Sequence, residues 1–147
     1  MAEETQRQFN IQRTYLKDLS FETPMGVEAF TQQAKPNVKV DLNTKSQALQ
    51  DGIFEVVLRI TITTTIEEKT AYLIEVQQAG IFYIQGFEED QVKHILGAVC
   101  PNFLFPYARE IIDSTAVKGS FGPLNLSPVD FDAIFRQSQQ QAAGTVN

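Results

Sequence analysis

Four stretches of this chain alternate apolar and polar residues with a period of two, and after Gly86 the period changes to that of a helix. The clearest stretch is 54–65, where Phe54, Val56, Leu58, Ile60 and Ile62 fall on one side and Glu55, Arg59, Thr61 and Thr63 on the other. Residues 70–82 set Tyr72, Ile74, Val76 and Phe82 against Ala71, Leu73, Glu75 and Gln77. Successive side chains of a strand point to opposite faces, so these runs predict strands buried on one face only. Residues 37–42 repeat the pattern with Val38, Val40 and Leu42 opposite Asn37, Lys39 and Asp41. Residues 9–22 follow it less cleanly. Phe9, Ile11, Tyr15, Leu19 and Phe21 share one parity and Asn10, Gln12, Thr14, Asp18, Ser20 and Glu22 the other, but Arg13 and Lys17 fall among the apolar set and Leu16 among the polar one.

Thr23-Pro24-Met25-Gly26 ends the first run, a poorly periodic connection reaches Pro36, and 65–69 reads as a polar hairpin connection. Glu88-Glu89-Asp90 places carboxylates in the first turn of a helix over 91–96, where they complement its dipole. A second helix is expected over 106–117, opened by Pro106 and stopped by Gly119, and a third over 129–141 after Pro128. The aromatics just ahead of Pro106 then belong in a core, in an interface between copies, or beneath a bound partner. Strands followed by helices predict an α+β fold: a four-stranded antiparallel sheet with one face solvated and helices on the other.

A chain of 147 residues, 43% of them hydrophobic, can bury one real core, and no composition shift marks a second domain. Residues 1–8 are expected to be disordered, 9–136 to form the domain, and 137–147 to be a flexible Gln-rich tail. A formal net charge of −6 without basic clusters argues against nucleic acid. The polar start lacks a secretory signal and no apolar run is long enough to cross a bilayer, so a cytoplasmic protein without membrane insertion is expected. The single cysteine fits a reducing compartment.

Catalytic chemistry finds no constellation. His94 is the only histidine, and Cys100 has no cationic neighbour in sequence to activate its thiol. One histidine and one cysteine cannot make a four-ligand zinc site. Asp41-Leu42-Asn43-Thr44-Lys45 opens like a calcium loop but has Ser46 where glycine belongs and Gly52 where glutamate belongs. Asn125-Leu126-Ser127 has the form of a glycosylation acceptor, but Pro128 follows and no secretory signal exists. Dinucleotide and phosphate-binding glycine motifs are missing, so no enzyme, ATP use or cofactor is expected. The outward parity does gather Asp18, Glu22 and Glu75 with the apolar Leu73, which suits an ordinary solvated face or a docking surface.

Four segments in order carry a resemblance: Tyr15-Leu16-Lys17-Asp18-Leu19-Ser20-Phe21-Glu22-Thr23-Pro24, Glu75-Val76-Gln77-Gln78-Ala79-Gly80-Ile81-Phe82, Cys100-Pro101-Asn102-Phe103-Leu104-Phe105-Pro106-Tyr107-Ala108-Arg109-Glu110 and Leu124-Asn125-Leu126-Ser127-Pro128-Val129-Asp130-Phe131-Asp132. Over residues 9–135 the chain resembles SecB, the bacterial protein-export chaperone family. The resemblance implies a homotetramer, a dimer of dimers with helices between outer sheets. It implies ATP-independent holding of unfolded precursor polypeptides for the Sec pathway and delivery to the SecA motor. The zinc-bearing C-terminal tail of SecA would dock on Asp18, Glu22, Leu73 and Glu75, any zinc belonging to the partner. A client groove is assigned to Val38, Val40, Leu42 and Phe54 with Phe121, Leu124, Leu126, Ile134 and Phe135. Two competing readings are a small-ligand protein or enzyme using Tyr, Glu or His94, and a SecB-like chaperone serving a private client such as an antitoxin.

Overall fold

A computed structural model of the chain describes residues 6–144. Strands β1 (Gln8–Glu22), β2 (Asn37–Gln50), β3 (Ile53–Ile66) and β4 (Lys69–Gln85) form one sheet in the order β1-β4-β3-β2, antiparallel throughout. Helices α1 (Glu89–His94), α2 (Cys100–Lys118) and α3 (Phe131–Gly144) follow, the first two joined by a π-helical turn, Ile95–Val99. This is the α+β class expected. The third helix continues past its expected end at 141; residues 1–5 of the expected disordered start and 145–147 of the expected flexible tail lie outside the described residues.

β3 and β4 alternate as read except at Ala71, which a register shift leaves unpaired and which is wholly buried instead of facing outward. Val56, Leu58, Ile60, Ile62, Ile74, Val76 and Phe82 are wholly buried on the face toward the helices. β2 runs eight residues past its expected end, because Thr44, Ser46 and Ala48 continue the inward parity without an apolar signature while the backbone ladder to β3 goes on to Gln50.

β1 corrects the simple parity count. Its pairing to β4 shifts twice, between Ile11 and Arg13 and between Leu16 and Asp18. Each shift is a β-bulge that inserts one extra residue, here Gln12 and Lys17, and so reverses which parity faces inward. Phe9, Ile11, Thr14, Leu16, Leu19 and Phe21 thus share the inner face, and Arg13, Tyr15, Asp18, Ser20 and Glu22 the outer one. The bulges resolve the misfits at Arg13 and Leu16, and they move Tyr15 outward and Thr14 inward, against expectation.

The helical region corrects a second expectation. Pro106 lies inside α2 instead of opening it, and residues 89–118 form one continuous helical run. An interior proline removes a bond to the carbonyl four residues back and crowds it. The cost is limited because Asn102 and Pro106 both lie on the exposed side. Pro101 would meet the Gly97 carbonyl in the same way, but the turn before it is widened, with the Cys100 N–H donating to the Ile95 carbonyl. The aromatics of this run have separate fates: Phe105 is buried, while Phe103 and Tyr107 are 45% and 51% exposed.

α2 lays Leu104, Ala108, Ile112 and Ala116 on the sheet. The connection over 119–130 is tied back to it, the Asp113 carboxylate accepting from the backbone N–H groups of Leu124 (2.9 Å) and Asn125 (3.1 Å). Asp130 then caps α3, accepting from the Ala133 N–H at 3.0 Å.

The β3–β4 hairpin turns on Glu67 and Glu68, both left-handed, with φ of 48° and 70°. That conformation suits Asn-Gly and costs an ordinary residue roughly 1–2 kcal/mol. Replacing Glu67-Glu68 with Asn-Gly is expected to raise stability by about 1 kcal/mol or more, read as a higher urea midpoint at unchanged slope.

Candidate functional site

Two surfaces on opposite faces of the sheet hold the residues singled out from sequence. On the helix side, Val38, Val40 and Leu42 follow one another along the inner parity of β2, the sheet edge. Val38 and Val40 stay 40% and 42% exposed. Leu42 opens into a cavity of about 440 Å³ walled on its far side by Leu96, Phe131, Ile134 and Phe135. Gly97 lets α3 come close, since a Cβ there would stand 2.6 Å from the Phe135 ring. His94 bridges to Asp132 at 2.5 Å and meets Phe135 edge-on, which fastens α3 to the end of α1.

The remaining groove candidates are distributed along this face. Phe121 packs on Tyr72 at 4.3 Å between ring centroids and on Phe30 at 5.3 Å, at the end of the sheet where Val38 lies. Leu124 and Leu126 are half-buried against the core. Phe54 pairs with Phe82 and Ala48. It stands six residues along β3 from Ile60, the partner of Leu42, a separation of roughly 20 Å. The structure therefore joins Leu42, Ile134 and Phe135 in one cleft and sets Phe54 apart. Sequence reading missed Val27 and Phe30, 78% and 54% exposed on the short 3-10 turn Gly26–Phe30. That segment has no periodicity, and only its apolar content in an otherwise polar connection could have drawn attention.

On the outer face, cross-strand pairing sets residues in rows. Asp18, Gln77, Arg59 and Asn43 form one; Ser20, Glu75, Thr61 and Asp41 the next; Glu22, Leu73, Thr63 and Lys39 the third. Asp18, Glu22, Leu73 and Glu75 thus share a face within two rows of one another, Leu73 half-buried beside Glu22. Arg59 bonds Glu75 at 2.9 Å and holds its carboxylate in place.

Beside these rows lies a network no sequence signal marked. Glu55, 8% exposed although on the outer parity, accepts from the Tyr15 hydroxyl, from Lys17 at 3.0 Å through both oxygens, and from Gln47 at 3.3 Å. The Tyr15 bond, helped by Lys17, holds the Glu55 carboxyl below its ordinary range against the opposing effect of burial. Burial, then the bond and charge of Glu55, pushes the Tyr15 phenol up to about 12. Cys100 is fully buried, and burial alone raises its thiol to about 12, which keeps it protonated.

Fold and surface define a class: an α+β protein with a largely apolar cleft open beneath the helices and a far sheet face of mixed charge that carries Asp18, Glu22, Leu73 and Glu75. No helix among the described residues is long and apolar enough to cross a membrane. The family model of the preprotein translocase subunit SecB matches residues 2–142, and the chain belongs to the SecB family. The resemblance read from four segments is borne out, and the family supports a chaperone role.

Among solved structures, the chain is similar to the Mycobacterium tuberculosis Rv1957 SecB-like chaperone in complex with a ChAD peptide from the Rv1956 HigA1 antitoxin. The TM-score is 0.66 at 13% identity, covering 82% of this chain and 90% of that one. A protein of unknown function from Streptococcus agalactiae matches with a TM-score of 0.40 at 12% identity, covering 83% and 98%. At such identity the first likeness speaks to the fold alone, and nothing is drawn from the second.

The Glu55 network sets a pH dependence. A carboxyl depressed in the folded state stabilises above its ordinary value of 4.5, and that contribution is lost as pH falls through the native value. A phenol raised in the folded state contributes fully below its ordinary value of 10.0 and loses that contribution as pH rises toward 12. The urea midpoint is therefore expected to fall on both sides of a neutral plateau. Tyr15→Phe should remove this network's share of the alkaline decline and flatten the acid one.

Proposed function

We propose that this chain is an ATP-independent holding chaperone of the cytoplasm, which keeps unfolded precursor polypeptides competent for export and passes them to the SecA motor. The observation that carries the proposal is the open apolar line of Val38, Val40 and Leu42, which runs along the sheet edge into the cleft beneath α3. Such a surface takes extended apolar segments, which only an unfolded chain presents. Burying on the order of 1,000 Å² of client at about 25 cal/mol/Å² gives ~25 kcal/mol gross, much of it offset by ordering the client. No nucleotide is needed for so passive a capture.

A homotetramer, a dimer of dimers, fits the other exposed flank. Ile11 and Leu16 of β1 lie open beside Phe103 and Tyr107 of α2, and Phe103 packs on Phe9 at 5.8 Å. A contiguous stripe of this kind is what a second copy covers. Four copies would hold one long client at several grooves at high effective concentration. The charge of −6 on each copy limits clumping of such open assemblies.

The outer face would dock the zinc-bearing C-terminal tail of SecA on Asp18, Glu22, Leu73 and Glu75. Carboxylates around one leucine offer a basic tail steering and register from charge and some affinity from apolar contact.

Glu75→Lys is expected to abolish binding of a zinc-loaded SecA tail peptide while sparing capture of a slowly folding precursor. Retained docking in a titration calorimeter would remove the patch from the proposal. Leu42→Ser should do the converse, weakening capture about tenfold or more because it forfeits ~1.5 kcal/mol or more of burial. Phe54→Ser serves as the comparison at the far end of the same face. Undiminished capture by Leu42→Ser, measured as light-scattering mass of the complex, would rule the cleft out.

A further inference from the structure

We infer that Asp113 is a positioning residue: it ties the connection over 119–130 to α2 as a preformed bank of the client groove, so that this bank is ordered on folding and not at capture. Its consequence for capture rests on the holding role proposed above; the tether itself does not.

The connection runs the length of the groove. At its start Phe121 packs on Tyr72, which lies in one row with Thr64 and Val38. Just past its end Phe131 shares a cleft with Leu42. It thus follows the same course as the line of Val38, Val40 and Leu42, with Phe121, Leu124 and Leu126 half-buried against the core.

Backbone pairing does not account for that course. The Phe121 N–H donates to the Ala116 carbonyl at 2.9 Å, and the next backbone bond beyond it is from the Ile134 N–H to the Asp130 carbonyl at 3.2 Å. Among the described residues, 122–129 make no backbone–backbone hydrogen bond, and Gly122 adds freedom to the stretch. Side chains of α2 hold it instead. One oxygen of the Asp113 carboxylate accepts from both the Leu124 N–H at 2.9 Å and the Asn125 N–H at 3.1 Å. Asn125 is left-handed, with φ of 50°, and such a turn aims successive N–H groups at one anion. One helical turn earlier, Arg109 reaches the Leu126 carbonyl at 3.5 Å while its guanidinium lies over the Phe105 ring. The residues held are therefore the ones whose side chains form the bank.

Phe105, Arg109 and Asp113 follow one another at intervals of four along one side of α2, and Phe105 meets Phe131 edge-on. At 3.6 residues per turn that side points well away from Phe103 and Tyr107, so the tether uses no residue of the flank given to a second copy. A bank already in place loses little conformational freedom when a client arrives, whereas a loose one has to be ordered at that moment.

The test uses the full chain carrying Asp113→Ala. Amide exchange over 122–127 is expected to quicken about tenfold with β3 and β4 unchanged, and capture of a slowly folding precursor to weaken about tenfold. A second readout separates a preformed bank from a bystander. Adding the precursor should slow exchange over 122–127 far more in Asp113→Ala than in the parent, where the bank is ordered beforehand. Asp113→Asn keeps an accepting oxygen and should restore most of both effects. Unchanged exchange over 122–127 overturns the inference, and so does parent-like capture by a variant whose exchange there has quickened. Acceleration across the whole sheet overturns it too, since Asp113 then only stabilises the fold. If Asp113→Ala fails to fold, Asp113→Ser, whose hydroxyl is too short to reach both amides, is judged by the same measurements. A parent that captures no precursor brings down the holding role and the capture half of the inference with it, while the exchange pattern still decides the tether.

Discussion

The inner face of the two central strands has to be kept from water, and a single helical run over residues 89–118 does most of the covering. Val56, Leu58, Ile60, Ile62, Ile74, Val76 and Phe82 show no exposed surface, and small residues let the helix lie close over them. At Gly80 a Cβ would already be 3.1 Å from a methyl of Leu104, and Ala108 and Ala116 carry the close approach along α2. A helix is about 10–12 Å across, while four strands at ~4.8 Å make a wider sheet. One helix over the middle therefore leaves both edge strands with inward apolar residues only partly covered. The exposed Ile11, Leu16 and Leu19 of β1 and the exposed Val38 and Val40 of β2 follow from that mismatch.

The two uncovered flanks differ in what stands beside them, which separates their proposed uses. Next to β1 the neighbour is the outer side of α2, where the exposed Phe103 and Tyr107 continue the apolar surface that the proposed reading gives to a copy of the same chain. Next to β2 the neighbour is α3, fastened through His94 and Asp132 and standing off enough to leave a cleft. The proposed motor surface lies on the other side of the same strands, so a client against the inner parity and a tail against the outer one need not compete for space.

What could be read from sequence follows what periodicity encodes. Parity assigns a face, so β4 alone places Glu75 and Leu73 outward and Val76 inward, and the outward placing of Asp18 and Glu22 also holds. It holds for a reason the count does not contain: two bulges reverse the parity and reverse it back, so that in the interval Arg13 and Leu16 stand as misfits of the count while Tyr15 and Thr14 are assigned to the wrong face by it. Parity does not give position along a strand, so it groups Leu42 with Phe54 although several rows part them. Pro106 looked like a helix start because prolines favour first turns. The widened turn at Ile95–Val99 that lets α1 run on into α2 has no side-chain signature. Phe30 stayed hidden because an irregular segment offers no period, and its place beside Phe121 depends on contacts between distant parts of the chain.

On the proposed reading, the chemistry of the cleft also decides what kind of selectivity is available. Its walls are Leu42, Leu96, Phe131, Ile134 and Phe135, while the polar residues lining it include Thr44, Ser46, Lys93 and Gln139. A site that discriminates among side chains needs buried polar groups whose partners are missing in the wrong ligand, because apolar contact alone separates similar groups by only ~1–3 kcal/mol. Aliphatic and aromatic walls have no such directional demand. They favour any apolar segment in proportion to the area it can bury. Folded proteins keep those segments inside, so the distinction such a surface draws is between folded and unfolded chains, with preference among unfolded ones set by length and apolar content.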